Sequence, residues 1–160
     1  MSVISSRFVG FPNPVNEKAA RVVAGLVAVT ALVALVSQSV WLLWLLAAGF
    51  LLRVLSGPRF SPFGLLATKV VAPRLGPPRL VPGPPKRFAQ GLGLTFSLLA
   101  AIAVTLGATT LGWVLVVLLI GAAVLESVFA FCLGCAIFGL LQRAGMVPES
   151  VCEACVVGSR

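Results

Sequence analysis

The sequence predicts an all-α membrane protein whose four transmembrane helices form two hairpins joined by a cytoplasmic connector with a short interfacial helix. Three observations predict it. Of the 160 residues 59% are hydrophobic and only 10% charged, against roughly 45–50% and about 25% in soluble domains. The apolar residues gather in four long runs. The twelve Lys and Arg residues all fall outside the two short breaks that would reach the far side of a bilayer.

The spans are placed at about 19–36, 40–55, 88–106 and 111–131, with room for a helical extension to 142. The first, Ala19 to Val36, has 18 residues without a charge after Arg21, just enough for a hydrocarbon core about 30 Å thick. A cleaved signal peptide is its rival, but the run exceeds the 7–15 apolar residues usual there. The second run is short, Val40 to Leu52 before Arg53, whose long side chain can snorkel toward headgroups. The third carries Ala89, Gly91, Gly93, Ser97, Ala100 and Ala103, small residues that let a neighbouring helix approach closely. Leu111 to Leu141 makes 31 residues with a single charge, Glu126. That is too long for one crossing and too short for two, so its last turns must bend or leave the bilayer.

Orientation follows from the cations. Arg7, Lys18 and Arg21 precede the first span; Arg53, Arg59, Lys69, Arg74, Arg79, Lys86 and Arg87 lie between the second and third; Arg143 and Arg160 follow the fourth. The breaks Ser37-Gln38-Ser39 and Gly107 to Thr110 hold none. The positive-inside rule then puts both termini and the connector, 56–87, on the cytoplasmic side of the membrane. Trp41, Trp44 and Trp113 flank the uncharged breaks, as an aromatic belt would. The expected partner of these surfaces is the lipid bilayer, and no nucleic acid is expected. Asn16 reads as an N-cap with Glu17 favourable against the helix dipole. In the connector, Ser61-Pro62 reads as a cap and first-turn proline, with Phe63, Leu66, Ala67 and Val70 recurring opposite Lys69. The later prolines, Pro77, Pro78, Pro82, Pro84 and Pro85, predict an extended polyproline-like path up to the third span.

The chain has no His, Asp or Tyr. This excludes a Ser-His-Asp or Cys-His nucleophile, a His-ligated metal and an EF-hand. What remains reactive is four cysteines and one intramembrane acid. Cys132-Leu133-Gly134-Cys135 lies 21 residues past Leu111, about 31 Å along a helix, which brings it to the cytoplasmic boundary. Cys152 and Cys155 form a second such pair in the tail, 143–160. Three readings stay open. One is a redox or sulfur-relay dithiol, with Cys132 and Cys135 as the reactive pair. Against it, Cys132 is expected late in its helix, away from an N-terminus that would stabilise a thiolate. The second is a zinc site held by Cys132, Cys135, Cys152 and Cys155, stabilising a scaffold for a cytoplasmic partner. The third is packing of small apolar side chains. In a reducing cytoplasm a permanent disulfide is the least expected state. Glu126 needs a partner or a proton inside hydrocarbon; Arg21 and Arg53 are at matching depth, so an ion pair or a proton site is predicted. A polar path along Glu126 would instead suit a transporter of a small sulfur species. Six residues of continuous helix put Glu126 and Cys132 about 240° apart, off a common face.

Pro14-Val15-Asn16, Arg59-Phe60-Ser61-Pro62, Pro84-Pro85-Lys86-Arg87-Phe88-Ala89-Gln90-Gly91-Leu92-Gly93, and Leu125-Glu126 followed by Phe131-Cys132-Leu133-Gly134-Cys135 together resemble a bacterial integral membrane protein family known as domain of unknown function 4395. The resemblance covers nearly the whole chain and implies an inner-membrane protein keeping a membrane-embedded Glu and a CxxC. It also implies an association with thioredoxin-like or sulfurtransferase proteins.

Overall fold

A computed structural model of the chain describes residues 11–148 and 150. Strand β1 (Val15–Asn16) leads into α1 (Glu17–Ser37), which turns at Gln38 and Ser39 into α2 (Val40–Ser56). A 3-10 turn, Gly57–Arg59, precedes α3 (Pro62–Leu66), which widens into a π turn over Ala67–Val71 and tightens again over Ala72–Leu75. Strand β2 (Leu80–Val81) leads to α4 (Gly83–Thr105), then α5 (Thr109–Phe129) and α6 (Leu133–Arg143). The chain is all-α in character, and four of its helical stretches are long and apolar enough to cross a membrane.

The four long helices form a square in which α1 and α4 each contact both α2 and α5. Small residues make this possible. Helix α1 buries Ala19, Val23, Ala24, Val27, Ala28, Ala31 and Ala34 at three- and four-residue spacing, a stripe against which neighbours pack closely. Gly93 of α4 lies under the Phe50 ring, and Gly112 of α5 lies against Val104, at both of which a Cβ would collide. Leu43, Leu46, Phe50, Ala100, Val116 and Leu119 complete the core. Val36, Trp41 and Leu106 stand outward, about 80% exposed, as a lipid-facing surface requires and a water-facing one would not.

Asn16 caps α1, its side chain accepting from the Lys18 N–H at 3.1 Å. Ser61 caps α3, and Pro62 occupies the first turn, as the Ser61-Pro62 pair predicts. The connector helix rests on α1, where Ala67 and Ala72 join the core while Leu66 and Val70 face outward. Its apolar face is thus divided by the π turn, unlike the single lipid-facing stripe expected.

One further expectation is corrected. The prolines before the third span do not all keep an extended path. Leu80 and Val81 pair antiparallel with Asn16 and Val15, and α4 already begins at Gly83. Pro84 and Pro85 sit in the first helical turn, where the missing N–H has no helical acceptor to lose. The fourth helix, whose end the sequence leaves open, stops before the cysteines. It ends at Phe129, with Ala130 in the left-handed conformation at φ 56° and its N–H bonded to the Leu125 carbonyl, and a new helix starts at Leu133.

Val15–Val81, the Glu17 N–H to Arg79 carbonyl bond of 2.8 Å, the Gly83 N–H to Asn13 Oδ1 bond of 3.0 Å and the Lys18 Nζ to Leu75 carbonyl bond of 2.8 Å tie the segment before α1 to the connector. The charged residues from Glu17 to Arg143 therefore collect at one end of the bundle, opposite the turns at Gln38 and Gly107.

Candidate functional site

The break at Ala130 decides the geometry of the cysteines. With α5 ended, α6 folds back against α4 and its N-terminal turn faces the bundle. Cys132 is the N-cap of α6, extended at φ −86° and ψ 100°, and its Sγ accepts the Cys135 N–H at 3.2 Å. This corrects the placement of Cys132 late in a helix: its sulfur sits where unpaired N–H groups and the positive end of the dipole favour an anion. The Cys132 and Cys135 sulfurs are joined in a disulfide, with Cα atoms 5.2 Å apart, whereas a cytoplasmic pair is expected reduced. Both cysteines are partly exposed.

Gly134 explains how the motif comes so close to the bundle. A Cβ there would lie 2.6 Å from the Ala89 Cα and Cβ, so only glycine lets the α6 turn meet the α4 backbone. One turn further, Phe138 is buried and its ring packs on Phe88 with centroids 5.7 Å apart.

Glu126 finds a cation, but neither of the expected ones. Its Oε1 accepts from Lys86 Nζ at 2.6 Å, with the two side chains 14% and 9% exposed respectively. Lys86 was legible as a connector residue; the early start of α4 carries it into the bundle. Arg21 instead donates from Nε and Nη2 to the Ser127 carbonyl at 3.2 and 3.0 Å and to the Val128 carbonyl at 3.3 Å. It caps the open carbonyls at the end of α5. Arg53 is buried, bonded through Nε to Gln90 Oε1 at 2.8 Å and through Nη1 to Ser61 Oγ at 3.0 Å, with its guanidinium 4.4 Å from the Phe50 ring centroid. It joins α2, the connector and α4.

Two cavities meet at Cys132. A cleft of about 560 Å³ at the charged end is lined by Lys86, Cys132, Cys135, Gln142 and Arg143, with the Arg79–Glu17 pair of 2.9 Å in its wall. A cavity of about 270 Å³ between the helices is lined by Val27, Phe50, Phe96, Leu118, Glu126 and Cys132. Cys132 belongs to both. The chain break thus brings Glu126 and Cys132 to one cavity wall, which an unbroken helix would not. Lys86, Gln90 and Gln142 are polar lining residues that sequence reasoning missed; a Lys directly after Gly83-Pro84-Pro85 was the available signal for the first, and the two glutamines offered none.

No group of three or more metal-ligating side chains occurs among the described residues. Cys152 and Cys155, needed for the zinc reading, lie outside the described residues.

Residues 15–143 match a family described as a domain of unknown function, DUF4395. The chain belongs to this family. The match contains Lys86, Glu126, Cys132 and Cys135 and ends at the last residue of α6, so the tail cysteines lie beyond the family's span. Comparison with curated proteins and with solved structures finds no match.

Proposed function

We propose that this protein is a thiol redox component of the bacterial inner membrane, whose Cys132–Cys135 couple exchanges electrons or sulfur with a soluble cytoplasmic protein of thioredoxin-like or sulfurtransferase type. The observation that carries the reading is Cys132 at the N-cap of α6, in a disulfide with Cys135 and opening on a cleft at the charged end. A thiolate of the partner attacks the Cys132 sulfur, the Cys132–Cys135 bond breaks, and Cys135 leaves as a thiolate that takes up a proton. The partner's second thiolate then attacks the mixed disulfide. Cys132 leaves as a thiolate stabilised by the Cys135 N–H and the helix dipole and then takes up the second proton, while the partner becomes the disulfide. Two electrons and two protons pass from partner to pair. The basic charges around the cleft support a cytoplasmic placement through the positive-inside rule.

The exchange runs in both directions, so in Cys135→Ser the Cys132 thiolate should attack the disulfide of the oxidised partner and, with no second thiol to resolve it, hold a mixed disulfide released by dithiothreitol, and Cys132→Ser should not. Non-reducing electrophoresis of cells quenched with acid and alkylated reads both. A pair that stays fully reduced in every growth condition, with no trapped species, overturns the redox reading. Modification of Cys132 or Cys135 by a membrane-impermeant thiol reagent on intact cells overturns the cytoplasmic placement.

A further inference from the structure

We infer that the cavity between the helices takes the ring of a lipid-soluble quinone, which accepts the two electrons of the reduced Cys132–Cys135 pair; this rests on the thiol redox reading above. Exchange with a soluble dithiol leaves the pair reduced, so continued turnover requires an oxidant that reaches the same sulfurs by another route. The cavity supplies that route. Its wall contains Cys132, yet it lies on the membrane side of the site, among Val27, Phe50, Phe96 and Leu119. Leu118 and Leu133 line it while standing 54% and 42% exposed on the outer face of the bundle, which places its opening toward lipid. A volume of about 270 Å³ falls just below the roughly 300–1,000 Å³ usual for ligand pockets. That accommodates one substituted six-membered ring, with an isoprenoid tail left in the bilayer.

Polar groups in the wall suit the two forms of the ring. Gln90 presents an amide whose N–H can donate to a ring carbonyl, and the Glu126 carboxylate, bonded to Lys86 at 2.6 Å, can accept from the O–H of the hydroquinone. Because Lys86 lines the cleft and Glu126 the cavity, this pair connects the aqueous side to the ring. In the reaction the two S–H bonds of Cys132 and Cys135 break and one S–S bond forms. The quinone takes up two electrons, and its oxygens gain two protons, giving the hydroquinone.

The test uses the purified full-length chain in detergent, with Cys152→Ser and Cys155→Ser so that one thiol pair remains. It is reduced with dithiothreitol, desalted and mixed without oxygen with a fully ring-substituted benzoquinone bearing a short alkyl tail, which cannot be arylated by thiols. Hydroquinone formation, followed by ultraviolet absorbance, is expected to equal the protein concentration and to match the loss of alkylatable thiol. Ala122→Phe and Leu118→Trp, each projecting bulk into the cavity, are expected to slow this step about tenfold or more while reduction of the disulfide by dithiothreitol keeps its rate. A reduced protein that leaves the quinone unchanged overturns the inference, as does turnover unaffected by both substitutions. If dithiothreitol cannot reduce the disulfide at all, the redox reading itself fails; a reducible pair inert to quinone defeats only the quinone site.

Discussion

Lys86 of α4 holds Glu126 of α5 at 2.6 Å, with both side chains largely withdrawn from the surface. Neither residue could sit here alone, because a single charge against hydrocarbon is costly and each satisfies the other. The pair also joins two helices at the level of the cysteines, so it positions the cavity wall as well as neutralising it.

Removing both members should therefore cost less than the two single losses added together. Glu126→Gln or Lys86→Met is expected to destabilise by about 2–4 kcal/mol, and the double substitution by less than the sum, with a coupling of at least about 1 kcal/mol. Denaturant unfolding in a fixed detergent measures the cycle. Additive losses would show that the pair is held apart in solution.

Gly134→Ala places a methyl group against the Ala89 backbone. The expected loss is about 1–3 kcal/mol, typical of overpacking, with α6 displaced from α4. Faster alkylation of reduced Cys132 and Cys135 than in the unsubstituted chain would report the displacement.

Ala130 adopts φ 56° to end α5, a conformation that a Cβ disfavours. Ala130→Gly is expected to stabilise by about 0.5–1 kcal/mol, because the strain relieved at a left-handed cap exceeds the added entropy of the unfolded chain. A lowered melting temperature would contradict this account of the break.

Arg21→Ala should expose the Ser127 and Val128 carbonyls that the guanidinium now covers. A loss of about 1–2 kcal/mol is expected. Arg21→Lys should recover only part, since an ammonium lacks the planar fork that reaches two carbonyls. Thermal melts of the three proteins, compared side by side, provide the check.

Much of the architecture was legible because hydrocarbon imposes simple demands. Four apolar runs, two uncharged breaks and the Ser61-Pro62 cap all reflect local chemistry. The site was legible only as a set of residue types. Lys86 was hidden by the prolines before it, which read as helix breakers although the first turn tolerates them. The break at Ala130 was hidden for the opposite reason: Phe129-Ala130-Phe131 carries neither proline nor glycine, and the left-handed Ala130 depends on α6 packing against α4. With the break unseen, Cys132 read as lying late in a helix instead of at its beginning, and Glu126 as facing away from it. The pairing of Val15 with Val81 joins residues far apart in the chain, beyond what periodicity reveals.

That pairing also governs how the bundle can breathe. Around Val15, Glu17 and Lys18 the two hairpins are clasped through the connector, whereas near the opposite turns the side-chain bonds, Ser37 to Val33, Gln38 to Leu35 and Thr105 to Ala101, each stay within one helix. With the bonds between segments gathered at this end, separation of the helices at the far rim would break packing alone, whereas separation beside the sulfur atoms would break polar bonds as well.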